Sequence, residues 1–317
     1  MFIIKQIKCI LTSIVFFFIS FHSFSQGCSD AGFCTMGAMR PNQFFKRKIN
    51  LRLRSIEISQ YFARTKFEDN IYSTTIDLNI GLSPKSSFQV KIPYTQIIGK
   101  LDKVKGWGDF SFSFTKSIIQ KEKYHLNATI GTKVPTNNSN HKDDDGHSFT
   151  MYFQTSLGTY DAIGGLSLIT KKWLVAVGYQ QPLNSNQNEF NKKTWALTGS
   201  PDSTIAKRYP NSTNLKRGND IMLRVERNFR FSRFNCYAGL LNIYRINKDI
   251  ATNENGIRGE AINSNGLVIN LLAGAGYNFS AKMGIKFLFG IKLKERKTNP
   301  DGLSREIVST LGYEYRF

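Results

Sequence analysis

The side chains best suited to chemistry cluster between Asp143 and Ser148, where Asp143, Asp144 and Asp145 precede His147 and Ser148. Hydrolysis needs a nucleophile beside a base that a third group orients, and a serine, a histidine and an aspartate are the right types for that work. His125 and His141 are further bases of the same kind. The hard carboxylate oxygens of Asp143 and Asp145 would equally suit a calcium ion. The run sits, however, in an Asn-rich stretch, residues 135–147, where acids and amides keep a loop hydrated, and its spacing matches no full calcium motif. The expectation is a solvated loop: no catalytic residue, no metal and no cofactor.

A second set of charges acquires meaning only if strands position it. Lys286, Lys292 and Lys294 alternate with Ile285, Phe287, Phe289, Ile291 and Leu293, and Glu314 and Arg316 alternate with Tyr313, Tyr315 and Phe317. Because side chains on a strand point to opposite faces in turn, each run separates a charged face from an apolar one. Ile76, Leu78 and Ile80 oppose Asp77 and Asn79 in the same way, and Phe110, Phe112 and Phe114 oppose Ser111, Ser113 and Thr115. A soluble sandwich would turn the apolar face inward, whereas a membrane barrel turns it to lipid and lines a wet lumen with the polar face.

Segment lengths and connections decide between these. Several runs reach ten residues or more, matching the ~9 to 11 that cross a bilayer when tilted. Short turns near residues 83–85, 120–123, 171–172, 231–233 and 280–282 alternate with long polar loops at 63–70, 98–106, 135–147, 183–218, 247–263 and 295–304. That asymmetry is characteristic of outer-membrane barrels. The expected fold is all-β, a transmembrane antiparallel up-and-down barrel of about twelve strands, provided residues 150–170 form one descending strand. On this scheme Arg224, Lys286, Lys292, Lys294, Glu314 and Arg316 are lumen charges, which either bias a channel toward anions or pair into a plug. Trp107, Trp173 and Trp195 would offer a platform for aromatic solutes or belong to interfacial girdles, the latter favoured for Trp173.

The ends of the chain fit export. Lys5 and Lys8 precede the apolar stretch 10–21 and then small polar residues, so residues 1–25 read as a signal peptide cleaved after Ser25. Residues 26–48 form a periplasmic leader and residues 49–317 the barrel. Within the leader, Cys28 and Cys34 are close enough to form a disulfide in an oxidising compartment, and Cys236 is expected as a buried free thiol in a strand. The net charge of +20, two units less without Lys5 and Lys8, suits lipopolysaccharide phosphates and anionic solutes better than nucleic acid, which an exported chain seldom meets. Phe317 ends the final alternating run and resembles the terminal aromatic read by the barrel-assembly machinery.

Four segments carry a family likeness. Lys91-Ile-Pro-Tyr94, Gly106-Trp-Gly-Asp109, Gly131-Thr-Lys-Val-Pro-Thr136 and Leu157-Gly-Thr-Tyr-Asp161 together resemble the outer-membrane barrels of the phenol meta-pathway transporter group. The resemblance implies a barrel with a transport role, embedded in outer-membrane lipid and lipopolysaccharide, with a small-molecule solute as its partner. The Cys28 to Cys34 leader departs from that group's general pattern. An outer-membrane enzyme acting on lipids or peptides, and a structural or adhesive barrel working through loop 183–218, are the competing expectations.

Overall fold

The computed structural model describes residues 35–40, 52–197 and 202–317. The signal peptide, most of the leader, and Cys28 and Cys34 lie outside the described residues. Strands follow one another as hairpins: β1 (Arg52–Arg64), β2 (Asn70–Ser83), β3 (Ser86–Ile98), β4 (Lys103–Trp107), β5 (Phe110–Gln120) and β6 (Tyr124–Val134) make the first half. The second half comprises β7 (Asp161–Thr170), β8 (Trp173–Pro182), β9 (Thr213–Lys216), β10 (Asp220–Arg230), β11 (Phe234–Arg245), β12 (Ile250–Thr252) and β13 (Arg258–Glu260), then β14 (Gly266–Asn278), β15 (Met283–Lys294) and β16 (Ile307–Arg316).

The sheet closes on itself. β1 pairs with β16 from Ser55 opposite Arg316 to Arg64 opposite Ile307, and β2 pairs with both β1 and β3. The short β4 continues β5 along the edge of β3, so the barrel has 12 antiparallel strands. Gly108 and Asp109 interrupt this composite strand opposite Pro93, which has no N–H to give; its carbonyl accepts instead from Gly108 N at 2.8 Å. β9, β12 and β13 form a separate small sheet in the long loops.

Burial settles which face is which. Ile76 is 40% exposed while its neighbour Asp77 is 7% exposed, and the contrast repeats for Ile130 and Leu311 outside against Thr129 and Glu314 inside. In water such an arrangement would expose apolar surface and bury polar groups at a cost on both counts, whereas a hydrocarbon surround reverses the first term. Five short turns, the start of β1 and the end of β16 lie at one rim, and six long loops lie at the other.

Two expectations need correction. Residues 150–160 are not strand: β7 begins at Asp161, and 135–160 is a single folded loop with a 3-10 turn at Met151–Phe153 whose three residues are all buried. On a barrel strand a run of consecutive apolar residues would put every second one into the polar lumen, and this stretch is instead buried beneath the loops. Strand parity survives because the loop only lengthens. Lys294 is not a lumen charge. A register shift sets Lys292 opposite Asn270 but Lys294 opposite Ile269, and the extra residue turns Lys294 to the outer side with Ile269.

Candidate functional site: the occluded lumen

Part of the lumen is filled by the chain itself. Residues 35–40 lie inside the barrel with Met36, Ala38 and Met39 buried. The segment is held by four side chains from three strands, β3, β6 and β10. Gly37 N donates to Gln89 Oε1 at 2.8 Å, Ala38 N donates to Thr129 Oγ1 at 2.7 Å, Lys91 Nζ donates to Thr35 Oγ1 at 3.1 Å, and Arg224 Nη1 donates to Met39 O at 3.3 Å. Met36 and Met39 pack with Ile163, Leu174, Met222, Leu241 and Leu272, an apolar patch on the lumen face. Gly37 sits at φ +45, and a Cβ there would stand 2.3 Å from Thr115 Oγ1, so only glycine fits this close approach.

From above, the long loops fold over the mouth. Phe67, Phe149, Tyr152, Phe153, Trp195 and Tyr209 form an aromatic cluster above β1 to β3, with Phe67 and Tyr209 ring centroids 4.4 Å apart. Tyr209 Oη donates to Asp69 Oδ1 at 2.9 Å. Burial pushes the Asp69 carboxyl up, with the Thr65 and Tyr209 hydrogen bonds working against it.

A second fastening is ionic. Arg245 reaches Asp220 at 2.8 Å, Asp249 at 2.8 Å and Asp301 at 2.7 Å, while Arg217 reaches Asp161 at 2.5 Å and Arg296 reaches Asp301 at 3.4 Å. All seven side chains are almost fully buried. This network ties three loops to the ends of β7, β10 and β11. Burial pushes Asp301 up, but Arg245, Arg296 and Arg217 outweigh it and hold the carboxyl below its usual range.

Between residues 35–40 and the cap lies a cavity of about 230 Å³. Towards the long loops its wall mixes apolar Tyr61, Ile71, Ile97, Leu157 and Leu303 with polar Gln154, Thr155 and Arg305; along the strands it is polar, with Thr75, Asp77, Lys91 and Ser111. The four segments that resemble the transporter group converge on it. Lys133 pairs with Asp109 at 3.3 Å, and Asp109 also accepts from Ser156 Oγ at 2.5 Å and Leu157 N at 3.2 Å, fixing the folded loop to the wall. Sequence reasoning had these residues in hand as a likeness without their common address.

The remaining sequence candidates fall as follows. Lys286 faces the lumen and lies 2.8 Å from Glu57 and 3.2 Å from Glu314, whose other oxygen takes Arg316 at 2.6 Å. Lys292 meets Glu306 at 2.6 Å and Glu295 at 3.0 Å, and Arg224 lies 3.5 Å from Glu226. Each of these cations therefore has a carboxylate beside it. Asp143, Asp145 and His147 bring one ligand atom each within 4.8 Å of the others, in a turn held by His147 N donating to Asp143 Oδ1 at 2.6 Å. Ser148 Oγ donates to Asn140 Oδ1 at 2.5 Å, away from His147. Burial lowers the His141 imidazole, which sits 3.4 Å from Thr155 Oγ1. Trp173 and Trp107 are on the outer surface, while Trp195 belongs to the cap and donates to Ser148 O at 2.8 Å. Cys236 is free and half-buried, on the outer side with its ladder partners Phe229 and Ala275. Phe317 lies exposed at the turn rim, its ring 5.0 Å from Tyr315.

This geometry can be set beside known proteins. No family model and no curated protein matches the chain. Among solved structures, an outer membrane channel from Pseudomonas putida F1 superposes with a TM-score of 0.58 at 12% identity, over 87% of this chain and 99% of that one. This is the fold of an outer-membrane β-barrel. The NanC porin aligns over 83% of this chain and 100% of its own at 8% identity and a TM-score of 0.47. The CymD monoaromatic hydrocarbon channel aligns over 94% and 99% at 12% identity and a TM-score of 0.43. As an outer-membrane barrel the chain meets lipid with the apolar ring that surrounds its polar lumen, which fits a position in the outer membrane of a Gram-negative bacterium.

Proposed function

We propose that the protein is a gated channel for small solutes that carry an apolar body and one or two polar groups. The observation that carries this is the cavity itself, whose apolar residues Tyr61, Ile71, Ile97 and Leu157 stand among polar groups under the cap and above Asp77, Lys91 and Ser111. A solute in this cavity would rest its apolar body on these side chains and keep its polar groups hydrogen-bonded to their neighbours. The carboxylates beside Lys286, Lys292, Lys133 and Lys91 argue against a strong preference for anions. A hydroxylated single-ring compound has the right size and character, in keeping with the likeness of four cavity segments to the phenol meta-pathway barrels. No hydrolytic step is needed, and the Ser148 hydroxyl is turned from His147.

Liposome swelling with the refolded protein tests this. A neutral hydroxylated aromatic should enter faster than an equally sized anion or a larger sugar. Equal rates for all three, or entry of the anion alone, would overturn the proposal. His147→Ala and Ser148→Ala should leave the rates unchanged; loss of a lipase or protease activity in either variant would favour the enzyme reading instead.

A further inference from the structure

The positive charge of this barrel is concentrated on one rim. The five short turns contain Lys85, Lys121, Lys123, Lys171, Lys172, Arg233 and Lys282 against a single acid, Glu122. All are exposed. The six long loops, by contrast, carry sixteen lysines and arginines against fifteen aspartates and glutamates, so the opposite rim is nearly neutral. Solubility alone does not require this asymmetry, since balanced charges hydrate a turn as well as cations do.

Directly above the basic turns, on the outer surface, runs a belt of aromatic rings along β8 to β16. Trp173 is 46% and Phe229 47% exposed; Phe231 stacks with Phe234 at 6.0 Å, and Tyr277 meets Phe279 at 5.3 Å. Such a belt marks the depth at which hydrocarbon gives way to headgroups. One cation is built into it. Arg227 is the ladder partner of Trp173 and so shares its outward face, with the guanidinium 5.0 Å from the Trp173 ring centre and 5.7 Å from that of Phe229. Stacking of this kind holds the planar fork at interface depth with its N–H edges free to meet an oxygen anion. The Lys171–Lys172 turn is tied beside it, because Asn228 N donates to Lys172 O at 2.7 Å.

We propose that Arg227, Lys171 and Lys172 form a binding surface for the phosphodiester headgroups of anionic phospholipids in the inner leaflet of the outer membrane. The occupant follows from three facts: the surface is cationic, it lies at headgroup depth, and it is on the rim of short turns, the periplasmic side of such barrels, where the leaflet is phospholipid. Lipopolysaccharide phosphates lie at the other rim. The surface anchors the barrel vertically and fixes its rotation against a lipid, independently of what the lumen conducts.

Native mass spectrometry of the full mature protein in detergent, titrated with phosphatidylglycerol, phosphatidylcholine or lipopolysaccharide, tests the proposal. Phosphatidylglycerol should bind more tightly than phosphatidylcholine, and the difference should shrink in high salt. Each removed charge near an anionic surface weakens binding by about fivefold, so Arg227→Gln with Lys171→Gln and Lys172→Gln should lower phosphatidylglycerol affinity by roughly a hundredfold. The exposed-turn pair Lys171→Gln and Lys172→Gln, which perturbs no packing, should lower it by roughly 25-fold with an unchanged heat-modifiable gel shift. Lys103→Gln with Lys105→Gln, on the long-loop rim, should leave it unaltered. Equal binding of the two phospholipids would overturn the proposal. So would an effect of the long-loop pair equal to that of the turn pair, or loss of lipopolysaccharide instead of phosphatidylglycerol from the turn variants.

Discussion

Release of the leader segment is the sharpest test of a gated lumen. Met36 and Met39 are about 1% and 0% exposed, so docking gains roughly 1.5–3 kcal/mol from each. The four hydrogen bonds to Gln89, Thr129, Thr35 and Met39 add about 0.5–1.5 kcal/mol each. Against a gain of roughly 5–12 kcal/mol stands the ordering of six residues at about 1–2 kcal/mol apiece, roughly 6–12 kcal/mol. The docked state is thus held by a narrow margin. Met36→Ala with Met39→Ala removes at least about 4 kcal/mol of buried contact, enough to shift the docked fraction by roughly a thousandfold. Liposome swelling with a small neutral solute should accelerate in the double variant, and accelerate again when Asp109→Ala also frees the loop that Ser156 and Leu157 fasten to the wall. The gel shift of the folded barrel should not change, because the segment contributes no ladder hydrogen bond. Wild-type swelling rates in the combined variant would refute the reasoning, since neither leader nor loop would then limit the path.

Four further outcomes are expected. Arg245→Met leaves Asp220, Asp249 and Asp301 without their shared partner and should cost about 3–5 kcal/mol, seen as rapid proteolysis of the long loops with the barrel intact; unchanged resistance would show that the network does not hold the cap. The cap should stay closed from pH 7 down to about pH 4. Asp301, held below its usual range, contributes stability that is present above the unfolded value near 3.9 and is lost only as pH falls through the lower folded value. Asp249 is pushed up, burial outweighing Arg245, so its contribution is present below that unfolded value and lost as pH rises through the folded one, and it does not loosen the cap on acidification; protease sensitivity appearing between pH 6 and 4.5 would contradict this. Deleting Phe317 should slow barrel insertion in cells without altering the folded protein's gel shift, and normal insertion would remove its role as a sorting terminus. Non-reducing peptide mapping should find Cys28 bonded to Cys34; two free thiols or a lipid-modified Cys28 would exclude the bridge.

How far the sequence revealed this molecule depends on the range of the forces involved. The barrel was legible because its determinant is local: a period of two residues, repeated along each strand, follows from the pleat itself. Ile76 against Asp77 and Leu311 against Gly312 say the same thing a few residues at a time. Lys294 escaped because a bulge is a single-residue event that leaves composition and period nearly intact while turning the side chain to the other face. The loop at 135–160 escaped because Phe149, Met151, Tyr152 and Phe153 satisfy the apolar requirement of a strand in number and not in order.

The cap and the leader plug were illegible for a different reason. Tyr209 and Asp69 are 140 residues apart, Arg224 and Met39 are 185 apart, and Arg245 and Asp301 are 56 apart, so no window of sequence contains both partners. Each partner alone looks ordinary: an arginine at a strand end, an aspartate in a polar loop, a methionine in a Gly-rich leader. A buried arginine network of this kind is intelligible only after the strands have fixed where β7, β10 and β11 end, because that spacing alone lets three arginines and four aspartates desolvate together with each charge beside an opposite one. The lumen contents are therefore a second layer of structure, specified by the barrel wall and not by local pattern. The resembling segments show the same dependence, since Asp109, Lys133 and Leu157 acquire a common purpose only when β5 and β6 bring them to one point of that wall.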